Sequence, residues 1–115
     1  MYDTDELLES TEINGKELEY LLSERKIGRA DFLLVDVREE YEYNQKRIVG
    51  VDYLIPLSDF FNKVQQIESC KSKHIIAKCK LGGRSAQAQM QLKRMGFKSV
   101  INLAGGISHY TGEKE

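Results

Sequence analysis

The chain is organised around Cys79-Lys80-Leu81-Gly82-Gly83-Arg84-Ser85. Ile75-Ile76-Ala77 leads into it as a short apolar run, within a strand expected over His74 to Lys78. A helical pattern from Arg84 to Met95 leads out, with Ala88, Leu92 and Met95 on one stripe and Gly96 as its stop. The stretch therefore reads as strand, tight glycine loop and helix start, with a cysteine at the strand's exit. Such a geometry can aim backbone N–H groups and the positive end of a helix at one sulfur atom.

Working outward, Phe32-Leu33-Leu34-Val35-Asp36-Val37 is an apolar run interrupted only by one aspartate. A strand covered on both faces of a parallel sheet reads this way. Before it, Asn14 caps a helix, with Glu17 reaching back from three residues on, and Leu18, Leu21 and Leu22 form its apolar face. That helix ends near Lys26, before Gly28. Glu12-Ile13 is a short strand, and Arg38 to Tyr43 makes one or two helical turns. Asp52 to Ile55 is another strand, closed by Pro56, the sole proline. Ser58 caps a helix carrying Phe60, Val64 and Ile67. Ser99 to Leu103 is the last strand, and a short helix runs from Ile107 to Tyr110 after Ala104-Gly105-Gly106. Strands alternating with helices give an α/β fold with a mostly parallel sheet. In such sheets the binding crevice lies beyond the carboxyl ends of the strands, where Asp36 to Arg38, the Cys79 loop and Gly105-Gly106 all fall.

The totals fit one domain over residues 1–115, with 1–10 and 111–115 expected to fray. A 41% hydrophobic and 30% charged composition suits a folded, soluble chain. The net charge of -1 gives nucleic-acid binding little electrostatic support. No run approaches membrane-spanning length, and the acidic N-terminus lacks a signal peptide's apolar core. A cytoplasmic location is expected. Two cysteines make no disulfide framework, and no Cys/His spacing suggests a metal.

A lone cysteine is more often a small buried hydrophobe than a nucleophile. Here the loop N–H groups, the helix end, Lys80 and Arg84 would all favour thiolate. Such a thiolate can take a sulfane sulfur and hold it as a persulfide, itself an anion that the same donors stabilise. Gly82 and Gly83 would permit close approach, Arg84 would orient an oxyanion, Ser85 would cap the helix or donate into the loop, and Leu81 and Lys80 complete the loop. Asp36 and Arg38 are expected to orient each other or a neighbouring loop in a supporting role. His74 and His109 read as surface residues, and Cys70 as too far from Cys79 for a disulfide.

Cys-x-x-Gly-x-Arg-Ser after a strand resembles the active-site loop of rhodanese-like sulfurtransferases. Asp36-Val37-Arg38-Glu39 with Glu42-Tyr43, then Ile48, Gly50 and Ile55-Pro56-Leu57, are similar to the family's earlier signatures. Gly96-Phe97, Val100, Leu103 and Gly105-Gly106-Ile107 are similar to its last. The resemblance covers about residues 11 to 110. It implies a central, mostly parallel five-stranded sheet flanked by helices on both faces. It also implies a sulfurtransferase with Cys79 as catalytic residue and no cofactor beyond the covalent persulfide. The donor would be a small sulfur-containing anion such as thiosulfate, with a protein as a further donor or acceptor. The pattern departs at Lys46-Arg47, Lys78 and Tyr110, all expected at the rim, where extra positive charge would favour an anionic donor. Two rivals stand beside this reading: a persulfide carrier docked to a partner, and a cysteine phosphatase. The latter uses Cys-x5-Arg, whereas Cys79 and Arg84 are spaced Cys-x4-Arg.

Overall fold

Alternate residues of a strand leave opposite faces, so an unbroken apolar run needs cover on both sides. A computed structural model, describing residues 2–115, supplies that cover. Five strands pair in the order β1-β5-β4-β2-β3: β1 Glu12–Ile13, β2 Leu33–Asp36, β3 Tyr53–Leu54, β4 His74–Lys78 and β5 Ser99–Leu103. Every pairing is parallel, so the sheet is wholly rather than mostly parallel. Leu34, Ile76, Ile101 and Leu103 face α1 (Thr4–Leu8) and α2 (Gly15–Lys26), packing with Leu7, Leu8, Leu18 and Leu21. Val35, Ile75, Val100 and Cys79 face the other side, against α4 (Phe60–Lys63) and α5 (Gly83–Arg94), with Phe60, Ala88 and Leu92. Burying such a Leu or Ile contributes about 1.5–3 kcal/mol each.

The local signals operate as read at α2. Asn14 accepts from the Glu17 N–H, and Glu17 returns a bond to the Asn14 N–H at 2.8 Å. Elsewhere the chain differs from the expectation. Ser58 caps nothing; its hydroxyl donates to Glu39 Oε1, and the expected single helix breaks into a 3-10 turn, α4 and a second 3-10 stretch. The third strand shrinks to Tyr53–Leu54 at the sheet edge.

The ends, expected to fray, are docked. Asp3 caps α1, which buries Leu7 and Leu8, while Met1 lies outside the described residues. At the other end, Arg47 and Glu115 exchange two backbone hydrogen bonds and Val49 N–H donates to Glu113 O. This pairing beside Ile48 straps the C-terminus across the loop that follows α3 (Glu40–Gln45).

Candidate active site

β4 ends at Lys78 and α5 begins at Gly83, so the carboxyl edge of the central strand delivers Cys79 directly beneath a helix N-terminus. Gly82 makes the turn at φ +112, where a side chain would strain the backbone. Its N–H donates to Cys79 Sγ at 3.0 Å, and Ser85 Oγ lies 3.3 Å from the same sulfur. Burial pushes the thiol pKa up. The Ser85 hydroxyl and the N–H groups of Ser85, Gly82 and Leu81 pull it down, and the net result lies below the ordinary thiol value. Gly83 needs no special conformation and a Cβ there would meet nothing, so only one of the two loop glycines is required by geometry.

Asn102, which the sequence reading passed over, completes the loop. It sits on β5 opposite Ala77 and is buried on the Cys79 side of the sheet. Its Nδ2 donates to Gly82 O at 3.3 Å, and its Oδ1 accepts from Ser85 Oγ at 2.5 Å. A hydroxyl carries one proton. Ser85 can therefore bond Asn102 beside a neutral thiol and turn its proton to the sulfur when that ionises. A polar residue inside the run Val100-Ile101-Asn102-Leu103 was the available signal. Behind the loop, Ile107 N–H donates to Cys79 O and Ser108 N–H to Lys80 O, both at 3.0 Å. Gly106 makes this possible: at φ +54 it packs on the carbonyls of Cys79 and Lys80, where a Cβ would collide with both.

Arg84, expected to orient an oxyanion, is engaged by Glu42: its two terminal nitrogens fork onto that carboxylate at 2.7 and 3.0 Å, tying α5 to α3. This hydrogen bonding holds the Glu42 carboxyl down at about 2 and raises the Arg84 pKa. Asp36 and Arg38 do orient each other: Arg38 Nη2 lies 2.8 Å from Asp36 Oδ2, with Nε at 3.1 Å from both oxygens. Arg38 also donates to Lys46 O at 2.7 Å. Two residues expected at the rim are inside. Lys78 is fully buried on Asp36, and Tyr110 is buried in the core against α2, its phenol raised by that burial to about 12. His74 is half-buried on Ser99 Oγ, whereas His109 is exposed. Cys70 and Cys79 are both free thiols.

A cleft of about 450 Å³ abuts the loop, with Lys46, Lys80, Lys114, Tyr41 and Ser108 in its walls. Among the described residues, none of these three lysines pairs with a carboxylate. The cleft walls also hold Arg38 and Glu42, each paired within the fold, so the three lysines leave the cleft a surplus of positive charge although the chain carries a net charge of -1. Among the described residues no helix is long and apolar enough to cross a membrane, and no cluster of three metal-ligating side chains occurs.

A parallel α/β sheet thus presents the Cys79 thiol, with Gly82 N–H and Ser85 Oγ upon it, at the carboxyl edge of β4. The chain belongs to the rhodanese-like domain family, whose family model matches residues 17–113. It is 34% identical over 86 residues to a sulfurtransferase of Allochromatium vinosum, covering 75% of this chain and 78% of that one. It is 37% identical over 82 residues to a putative sulfur carrier protein, YrkF, of Bacillus subtilis, covering 71% of this chain and 43% of the carrier. The chain spans less than half the length of that carrier and of the next two curated relatives it matches. Among solved structures, the rhodanese-like domain of the Anabaena protein Alr3790 superposes with a TM-score of 0.76 at 26% identity, over 92% of this chain and 79% of that one.

Proposed function

We propose that the protein is a rhodanese-type sulfurtransferase that carries sulfane sulfur as a persulfide on Cys79. The observation that supports this most strongly is the Cys79 sulfur itself, held by Gly82 N–H at 3.0 Å and Ser85 Oγ at 3.3 Å beneath the start of α5. In the first half-reaction the thiolate attacks the outer sulfur of thiosulfate. A Cys79 S–S bond forms, the thiosulfate S–S bond breaks, and sulfite leaves with the electron pair. In the second, a thiophilic acceptor attacks the terminal sulfur of the persulfide, and the thiolate is regenerated. Charge balances in each step and no general base is needed once the thiol is ionised. The persulfide anion occupies the same ring of donors, which therefore serves the intermediate as well as the nucleophile.

Lys46, Lys80 and Lys114 would draw an anionic donor toward the loop. A phosphatase reading loses support, because Arg84 is engaged by Glu42 and the Cys-x4-Arg loop is one residue short. A carrier role remains the second reading, favoured by the likeness to a putative sulfur carrier and by the chain's small share of it. Thiocyanate production from thiosulfate and cyanide separates the two. Sustained turnover supports the enzyme, whereas loading of one sulfur with negligible turnover supports the carrier. Neither loading nor turnover with any sulfane donor would sink both.

A further inference from the structure

The proposed chemistry leaves Lys78 without a task, although it precedes the nucleophile and has 0% exposure. Its Nζ donates to Asp36 Oδ2 at 3.1 Å, the ammonium's one hydrogen bond among the described residues. Asp36, also at 0% exposure, is already held by Arg38, whose backbone N–H, Nε and Nη2 reach its carboxylate at 2.8–3.1 Å. Two cations thus share one carboxylate away from water. With Lys78 protonated the group carries two positive charges and one negative, a net +1. An uncompensated buried charge is costly.

Among the described residues, Asp36 is the one carboxylate that pairs with either cation. Glu42 is committed to Arg84. Lys46, Lys80 and Lys114 at the neighbouring cleft add positive charge only. The next residue in the chain, Cys79, can supply a negative charge through its sulfur.

We infer that Lys78 is the buried counter-charge of the Cys79 sulfur anion, so that Asp36, Arg38, Lys78 and the ionised sulfur together sum to zero. For the thiolate this stands on the burial and the charge count. Its extension to the persulfide rests on the sulfur-transfer reading. Side chains at adjacent strand positions leave opposite faces, and no hydrogen bond joins Lys78 to Cys79 among the described residues. Lys78 therefore acts through its field, as a positioning residue. Burial lowers the Lys78 pKa to about 8, with Asp36 raising, Arg38 lowering and the Cys79 charge raising it.

The test is the pH profile of Cys79 alkylation by iodoacetamide, in a Cys70→Ser background and with no sulfur donor present. Lys78→Met is expected to raise the midpoint by about one pH unit, slowing alkylation about tenfold below it. Lys78→Arg, which keeps the charge, is expected to retain the original midpoint. Coupling between two sites is reciprocal. In Cys79→Ser the ε-amine of Lys78, followed by NMR, is therefore expected to titrate at lower pH than in the parent, and this decides the matter if Lys78→Met does not fold. An unchanged thiol midpoint in folded Lys78→Met, or an unchanged lysine midpoint in Cys79→Ser, would overturn the inference. Both measurements omit sulfur donors, so their failure is distinct from failure of persulfide loading.

Discussion

Replacing Asp36 by Asn should damage the fold more than any single change to the exposed loop. Asp36 is the sole acid between Arg38 and Lys78, accepting from Arg38 N, Nε and Nη2 and from Lys78 Nζ. The amide is nearly isosteric, so packing is retained and the change isolates the charge. It leaves two buried cations facing a neutral group that also presents N–H donors to them. Removing one partner of a buried ion pair costs about 3–5 kcal/mol. A chain of this length has a total stability of about 6–17 kcal/mol at the usual per-residue values. With a urea m-value of about 2 kcal/mol/M, the unfolding midpoint should fall by about 2 M. Adding Lys78→Met to Asp36→Asn should recover at least about 1 kcal/mol, because one of the two stranded cations is gone. Equilibrium urea unfolding followed by circular dichroism reads both effects. A midpoint within about 0.5 M of the parent for Asp36→Asn, or a double variant no better than the single one, would refute the charge argument.

Three further outcomes follow from the same geometry. Glu42→Gln should lower stability at pH 7 by about 1–2 kcal/mol, discounted because Arg84 is 35% exposed. The folded Glu42 pKa of about 2 lies below its unfolded value. The stabilisation is therefore present above the unfolded pKa and lost as pH falls toward 2, so the variant's unfolding midpoint should change less than the parent's between pH 5 and 2. Ser85→Ala removes the hydroxyl 3.3 Å from the sulfur and should raise the thiol pKa, slowing iodoacetamide alkylation near neutral pH by about tenfold; an unchanged rate would contradict the donor role. Gly106→Ala places a Cβ against the Cys79 and Lys80 carbonyls at a backbone angle that disfavours side chains, and should cost about 2–4 kcal/mol in thermal or urea unfolding.

The sheet was legible because its strands are apolar runs bounded by glycine, proline and cap residues. β4 and β5 fall on the expected residues, and α2 carries the expected capping box. The loop was legible because Cys79, Gly82 and Ser85 act within a few residues of one another. What stayed hidden depends on register between distant segments. Asp36 and Lys78 are partners because β2 and β4 pair in parallel with those two residues opposite. Each alone looks like the polar end of a strand. Arg84 could not be assigned to Glu42 until α3 was placed, and Asn102 looked like an ordinary strand residue until β5 lay beside the loop. The docked ends were missed for a similar reason. Charged side chains at 113–115 signal a solvated tail, whereas it is their backbone that pairs with Arg47 and Val49.

Intact-protein mass spectrometry after incubation with thiosulfate shows whether Cys79 carries transferable sulfur. The expected result is a gain of one sulfur atom, removed by cyanide with regeneration of the starting mass, and absent from Cys79→Ser. No mass gain with thiosulfate or any other sulfane donor, or an equal gain in Cys79→Ser, would contradict it.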